Sequence, residues 1–349
     1  MAIRGATRHS QWAMESLALG RSVRRMTMSL PRKQAAPAPN SPYMIFDREA
    51  KRMQRSRAAL RRPVDESGTA YVDERHRGEQ DIKRAFPVIV ELGAGAGHLR
   101  HHLDAKSAGL EKLIMCDMSE AMLYRDAHLD AQFPYKIERQ VIDEEWLPFE
   151  ENSLDCVIAP GSLHWTNDLP GALIQIQRVL KPDGVFLGYM LGGETLFELR
   201  YVAATYRSTS MMLAEQEREG GLSVHVSPMT DTKDVSSLLT RAGFTLQTVD
   251  IDELTVNYPS MFELVQDLRD MGESNAVINR RPFLHRDTLI AAAATYQALH
   301  GSEEHVPATY AQIYMVRRPT LTQIGWKPSP DQKKPAKRGS AKQSLKDVL

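Results

Sequence analysis

The chain has 349 residues, enough to bury a substantial core, with apolar and charged fractions ordinary for a globular protein. Its formal net charge is zero, which gives no general case for nucleic acid or a charged membrane surface as partner. It holds only two cysteines, Cys116 and Cys156, both in apolar strand-like runs, which argues against a disulfide framework or a Cys-based zinc site; no apolar run reaches the length of a bilayer span.

The first forty residues carry Arg4, Arg8, Arg21, Arg24, Arg25, Arg32 and Lys33 against one acid, Glu15, and Trp12, Met14, Leu17 and Leu19 can share one helical face. Arg-rich, acid-poor and weakly amphipathic sequence reads as a mitochondrial transit peptide, with a plain basic arm as the simpler alternative. Pro31, Pro37, Pro39 and Pro42 mark a linker, so residues 1–42 form transit peptide and linker. Residues 43–85 read as two N-terminal helices, at 46–62 and 69–85; neither has a strong apolar stripe, which predicts that both lie on the surface.

Strands and helices then alternate. Residues 88–92 form the first strand and 98–103 begin a helix. Residues 113–116 form the second strand, ending at Asp117, and Ser119 opens a helix with Met122 and Leu123 inward. Residues 137–142 and 154–160 are strands three and four, and 169–180 a helix stopped by the turn Lys181-Pro182-Asp183-Gly184 before strand five at 185–190. This order predicts a parallel sheet covered on both faces. Beyond Gly193, helices are expected at 194–219, 231–242, 260–271 and 286–299, strand-like sequence at 244–256, and a last strand in 310–326. Residues 327–349 read as a disordered basic tail.

The first strand ends in Gly93-Ala94-Gly95-Ala96-Gly97, so the turn offers close backbone approach and free amides to a ligand. The spacing is G-x-G-x-G, and His98 stands where the dinucleotide fingerprint needs its third glycine, which disfavours NAD. S-adenosylmethionine (SAM), smaller and without phosphates, tolerates it. Asp117, with Met118 beside it, ends strand two where a carboxylate grips ribose hydroxyls, and Asp143 and Glu144 follow strand three within reach of an adenine amino group. Glu91 either orders the turn or meets the cofactor's ammonium group. Acids suit a cationic sulfonium ligand; the bland alternative is that Asp117 and Asp143 cap the following helices.

Residues 91–97, Asp117, Leu147-Pro148-Phe149 and residues 178–184 resemble a class I SAM-dependent methyltransferase over about residues 86–190. A narrower resemblance runs along most of the chain: Ile45-Phe46-Asp47-Arg48, Ser162-Leu163-His164-Trp165, Asn167-Asp168-Leu169-Pro170, Gly192-Gly193-Glu194-Thr195-Leu196, Glu217-Arg218-Glu219-Gly220-Gly221, Asn257-Tyr258-Pro259, Met271-Gly272-Glu273-Ser274-Asn275 and Pro307-Ala308-Thr309-Tyr310. These resemble the mitochondrial complex I assembly factors that have a methyltransferase fold and are assigned protein-arginine hydroxylase activity.

The resemblance implies an α/β, Rossmann-like, seven-stranded fold with a helical insertion before the last strand. Residues 86–326 would be the methyltransferase-like domain, with 86–190 as SAM-binding core and 191–326 as client-binding helices and last strands. It also implies a location in the mitochondrial matrix, with possible peripheral association with the inner membrane, and a client: an iron–sulfur subunit of NADH:ubiquinone oxidoreductase, modified on an arginine early in assembly. The chain departs from the family in extra segments at 201–210 and 316–323.

An acceptor should enter at the carboxyl ends of strands four and five. His164 is a candidate base or hydrogen-bond donor there, and Trp165 a candidate surface for a guanidinium to stack on; the structural alternatives are a satisfied histidine and a packed indole. His128-Leu129-Asp130 and His285-Arg286-Asp287 have the local spacing of a non-haem iron site, but motifs so short arise by chance, and no metal is assigned. Glu194, Arg200, Glu217, Arg218, Glu219 and Glu273 either clamp a client arginine or form a solvated, ion-paired face. Three functions follow: a complex I assembly enzyme that modifies arginine, a methyltransferase acting on a small carboxylate like the malonyl-carrier and aconitate enzymes or on the client protein, and a non-catalytic SAM-binding assembly chaperone.

Overall fold

The computed structural model describes residues 44–60, 85–103, 109–199, 230, 232–245, 247–278, 280, 286–302, 304–315 and 325–328. The transit-peptide, 69–85 helix, 201–219 and basic-tail expectations lie outside them.

A helix, α1 (Arg48–Leu60), precedes the sheet. Five parallel strands follow: β1 (Val88–Leu92), β2 (Lys112–Asp117), β3 (Lys136–Val141), β4 (Leu154–Pro160) and β5 (Leu180–Leu191). They are connected through α2 (Glu120–Tyr124) and α3 (Leu169–Val179). The distal part adds α4 (Thr232–Arg241), β6 (Asp250–Tyr258), α5 (Met261–Asp270), α6 (Arg286–His300), β7 (Val306–Tyr314) and the two-residue β8 (Gly325–Trp326). The sheet order is β3-β2-β1-β4-β5-β7-β6; β7 runs antiparallel to both β5 and β6, and β8 pairs with β5 off that path. The seven-stranded α/β fold and the helical insertion are thus as expected.

Alternation along the strands sends side chains to both faces. Val90, Leu92, Ile114 and Val157 pack with Leu173 and Ile176 of α3 and with Val235 and Leu239 of α4. Ile89, Leu113, Met115 and Ile158 pack on the opposite face with Leu99, Leu103 and Leu123. All are buried, at about 2 kcal/mol for each large aliphatic side chain removed from water. Asp168 caps α3 by accepting the Gly171 amide at 2.8 Å, with Pro170 in the first turn. Edge strand β6 carries Asp250, Asp252 and Glu253, charges that discourage pairing with another chain.

Three local expectations need correction. The segment after Gly97 is a 3-10 turn, His98–His101, and not the opening of an α-helix, because Gly97 is left-handed at φ +86° and leaves no regular entry. Residues 193–199 are turns and not helix: Leu196 sits at φ +52°, and its amide bonds the Thr309 carbonyl of β7. The Lys181–Gly184 turn is an irregularity inside β5, where pairing jumps from Leu154↔Leu180 to Cys156↔Val185 and Asp183 turns left-handed at φ +63°. Helix α1 lies on the surface as expected, with Glu49, Arg52, Met53, Arg57 and Leu60 exposed, but its inner face is tightly packed: Lys51 and Ala58 are each only 1 % exposed. That face carries cations, which an apolar-periodicity test does not detect.

Candidate functional site at the carboxyl edge of the sheet

Parallel strands direct their carboxyl ends to one edge, and β1, β2, β3 and β4 all deliver candidate residues there. Two hydrogen-bonding registers hold this edge together. The Ala94 amide donates to the Cys116 carbonyl at 2.9 Å, and the Gly95 amide to Asp117 Oδ2 at 2.9 Å, so the glycine turn is clamped on the end of β2. Gly93 has φ +69°, and a Cβ there would collide with the Ser162 side chain, which follows β4. It would also come within 3.3 Å of Glu144 Oε1. At Gly97 a Cβ would strike the Met115 side chain. Gly93 and Gly97 therefore answer packing inside the protein, while Gly95 faces Asp117.

Asp117 is fully buried. It is not the cap of α2: Ser119 is, accepting from the Met122 amide at 3.2 Å, and Asp117 accepts the Ser119 amide at 2.8 Å. Asp143 accepts the Glu145 amide at 3.0 Å. Glu91, on β1, and Glu144 and Met118 are also buried. Sequence and structure thus agree in bringing Glu91, Gly93, Gly95, Gly97, Asp117, Met118, Asp143 and Glu144 to one edge of the sheet.

Helix α1 completes the cluster, and spacing explains how. Residues three and seven apart share one helical face, and Arg48, Lys51 and Arg55 all point at the sheet edge. Asp47 starts the helix by accepting the Ala50 amide at 2.9 Å. The preceding residues are pinned: the Ile45 and Phe46 amides donate to Asn167 Oδ1 at 2.8 and 2.7 Å, and Phe46 bridges Val277. Arg48 donates to Asp143 Oδ1 at 2.6 Å, to Glu144, and to the Trp165 carbonyl at 3.0 Å. Arg55 grips Asp117 two-pronged, Nε to Oδ1 at 3.2 Å and Nη2 to Oδ2. Burial disfavours charge on both guanidiniums, but Glu144 and Asp143 for Arg48, and Asp117 for Arg55, outweigh it and raise both pKa values.

His164 and Trp165 lie next to these acids in the 3-10 turn Leu163–Trp165 and are both buried. Glu273, just beyond α5, ties them together. Its Oε2 accepts the Trp165 indole N–H at 2.6 Å and lies 3.2 Å from His164 Nε2 and 3.2 Å from Lys51 Nζ. Lys51 also donates to the Gly272 carbonyl at 2.6 Å and lies over the indole ring. Burial pushes the Lys51 ammonium down to about 7 despite Glu273. Burial alone would lift the Glu273 carboxyl; Lys51 and His164 outweigh it and hold it well below the usual range. Carboxylate, indole face and carbonyl together form a pocket for a cation.

A family model described as a methyltransferase domain matches residues 90–188. The chain is 45 % identical over 312 residues to "Arginine-hydroxylase NDUFAF5, mitochondrial" of Danio rerio, covering 87 % of this chain and 89 % of that one. It is 45 % identical over 313 residues to the Homo sapiens protein of the same name, covering 87 % and 83 %. This chain belongs to the NDUFAF5 arginine-hydroxylase family. It is also 30 % identical over 274 residues to a "Malonyl-[acyl-carrier protein] O-methyltransferase" of Methylovorus sp., covering 74 % of this chain and 87 % of that one.

In this NDUFAF5-family chain, sequence reasoning missed Arg48, Lys51 and Arg55, and named Glu273 without a partner. The available signal was three cations on one face of a helix, beside Ala50 and Ala58, opposite a sheet edge rich in acids. The remaining candidates fall elsewhere. Asp130 of the His128-Leu129-Asp130 motif is taken by Arg100 at 2.7 Å and by Arg139. His285, Arg200 and residues 217–219 lie outside the described residues. Among the described residues no group of three or more His, Cys, Asp or Glu is placed to hold a metal, and no helix is long and apolar enough to cross a membrane.

Proposed function

We propose that this chain is a mitochondrial, SAM-binding enzyme that hydroxylates an arginine of an iron–sulfur subunit of complex I during assembly, in the matrix or at the matrix face of the inner membrane. The observation that carries the reading is the 45 % identity to proteins named mitochondrial arginine-hydroxylase, across 87 % of this chain. The geometry supports it in two ways. The carboxylates at the sheet edge are acceptors that Arg48 and Arg55 fill, and a ligand with hydroxyl and amine donors and positive charge presents the same chemistry to them, so the acceptor set suits SAM. The Trp165–Glu273–Gly272 pocket already binds an alkyl cation, Lys51, and has the chemistry to take a guanidinium.

In this reading residues 86–190 bind cofactor and 191–326 bind client. Asp117 takes the ribose diol, Asp143 and Glu144 the adenine amino group, Glu91 the ammonium, and the Gly93–Gly97 turn lies along the methionine portion. Bound there, SAM would supply an electrophilic methyl group, the chemistry of methyl transfer; insertion of an oxygen atom would instead draw on an oxidant and a redox centre beyond these residues. His164 is placed to hold or move a proton, its Nε2 held by Glu273, and Trp165 orients the acceptor.

A second reading, SAM-dependent methyl transfer to a carboxylate or to the client, is supported by the 30 % identity to a malonyl-carrier O-methyltransferase. Intact mass of the client subunit, purified from cells with and without this protein, separates the readings. One added oxygen supports hydroxylation, and one added methylene supports methyl transfer. Equal masses with failed assembly leave a SAM-binding chaperone, in which cofactor serves only to stabilise the fold.

A further inference from the structure

We propose that Arg55 is an internal competitor for the cofactor's ribose: its guanidinium occupies the acceptor positions on Asp117 that a ribose diol needs, so cofactor binds only when Arg55 swings away. The inference rests on the reading of Asp117 as the ribose acceptor.

Four donors converge on Asp117. A carboxylate offers about four lone-pair sites. Asp117 Oδ1 accepts from the Ser119 amide at 2.8 Å and from Arg55 Nε at 3.2 Å; Oδ2 accepts from the Gly95 amide at 2.9 Å and from Arg55 Nη2. The two amides belong to the backbone of the sheet edge and hold the glycine turn and the start of α2. The two exchangeable positions are those of Arg55. A two-pronged guanidinium and a vicinal diol present the same thing to a carboxylate, a pair of adjacent donors aimed at its two oxygens. Asp117 is fully buried, so no third face remains open to a sugar.

Hydrogen bonding sets Arg55 apart within the stripe: Arg48 holds Asp143, Glu144 and the Trp165 carbonyl, Lys51 holds Glu273 and the Gly272 carbonyl, and Arg55 holds one carboxylate. Arg48 lies in the first turn, directly after residues anchored to Asn167 and Val277. Arg55 is seven residues on, about 10 Å along the axis, and among the described residues its guanidinium hydrogen-bonds to Asp117 alone. Paired with Arg55, Asp117 keeps a partner for its buried charge, and the glycine turn stays clamped. The apparent cofactor affinity then falls by the fraction of molecules in which the pair is closed.

Titration calorimetry of the full chain with SAM tests this, comparing wild type with Arg55→Gln and with Arg55→Lys, which keeps the charge but loses the two-pronged grip and serves if the glutamine variant does not fold. The expected result is roughly tenfold tighter binding for Arg55→Gln and a smaller gain for Arg55→Lys. Equal or weaker binding by the folded variants, with wild type binding SAM, overturns the competitor role and leaves the cofactor site standing. No binding by wild type or variants overturns the cofactor reading and this inference with it.

Discussion

Lys51 lies with its ammonium 3.5 Å from the centroid of the Trp165 ring, buried to 1 % exposure between that indole and Glu273. A buried lysine held this way makes stability depend on pH. In the folded protein it loses its proton near pH 7, and in the unfolded chain near 10.5. Between those values the unfolded chain binds more protons, so stability rises with pH, by up to about 1.4 kcal/mol per pH unit. Lys51→Met removes the titrating group. Urea unfolding at several pH values should show wild type gaining on Lys51→Met from about pH 7 to pH 10; a difference that stays flat with pH rules the account out.

Glu273 is the acceptor that Lys51, His164 and Trp165 share. Removing one partner of a buried pair strands the other charge, at about 3–5 kcal/mol. Glu273→Gln should therefore cost several kcal/mol at neutral pH, and the loss should shrink in Lys51→Met/Glu273→Gln, where no ammonium is left stranded. A loss in the double variant equal to the sum of the losses in Lys51→Met and Glu273→Gln would mean that the two side chains are not coupled.

Gly93 has no room for a methyl group, because its neighbour Ser162 stands where a Cβ would go, and its φ of +69° disfavours any other residue. Gly93→Ala should destabilise the fold by more than about 2 kcal/mol. Pairing it with Ser162→Gly should recover the packing part and leave the dihedral part. If thermal melts of single and double variants coincide, the clash is not what selects glycine.

Gly95 is different in kind: its left-handed backbone, φ +56°, points an amide at Asp117. Gly95→Val and Asp117→Ala should each abolish the thermal stabilisation that SAM gives wild type. Asp117→Ala should also lower the ligand-free melting temperature, since it leaves Arg55 buried without its partner. A cofactor-dependent shift that survives in both variants refutes the site.

Cys116 and Cys156 are buried to 1 % exposure on β2 and β4 and form no disulfide. Burial pushes the Cys116 thiol far above its ordinary range. Neither thiol should react with a chromogenic disulfide reagent until denaturant is added; rapid labelling of native protein would show that this sheet opens readily.

The sheet core was legible because parallel strands buried on both faces are written as near-continuous apolar runs, such as Val88 to Leu92 and Leu154 to Pro160, broken there by Glu91 and Asp155 and each followed by glycine. The acids of the edge were legible for the same reason: Asp117 and Asp143 follow strands two and three, and the fold gathers strand ends. What the sequence hid was helix α1. Its inward face carries Arg48, Lys51 and Arg55 beside Ala50 and Ala58, and hydrophobic periodicity treats cations as solvent-facing. Only the presence of Asp117, Asp143, Glu144 and Glu273 across the gap makes that stripe an inward one, and this is a tertiary fact. The turn inside β5 misled for a local reason: Pro182 and Gly184 signal a chain reversal, yet strand pairing resumes at Val185 and absorbs the extra residues as a bulge.

The central claim is that an adenosyl sulfonium ligand occupies the carboxyl edge of β1 and β2, where His98 replaces the third glycine of a dinucleotide site. Calorimetric titration of the folded wild-type chain, with SAM in one cell and NAD in another, puts that to the test. The account predicts saturable heat with SAM and none with NAD; saturable heat with NAD and none with SAM would contradict it.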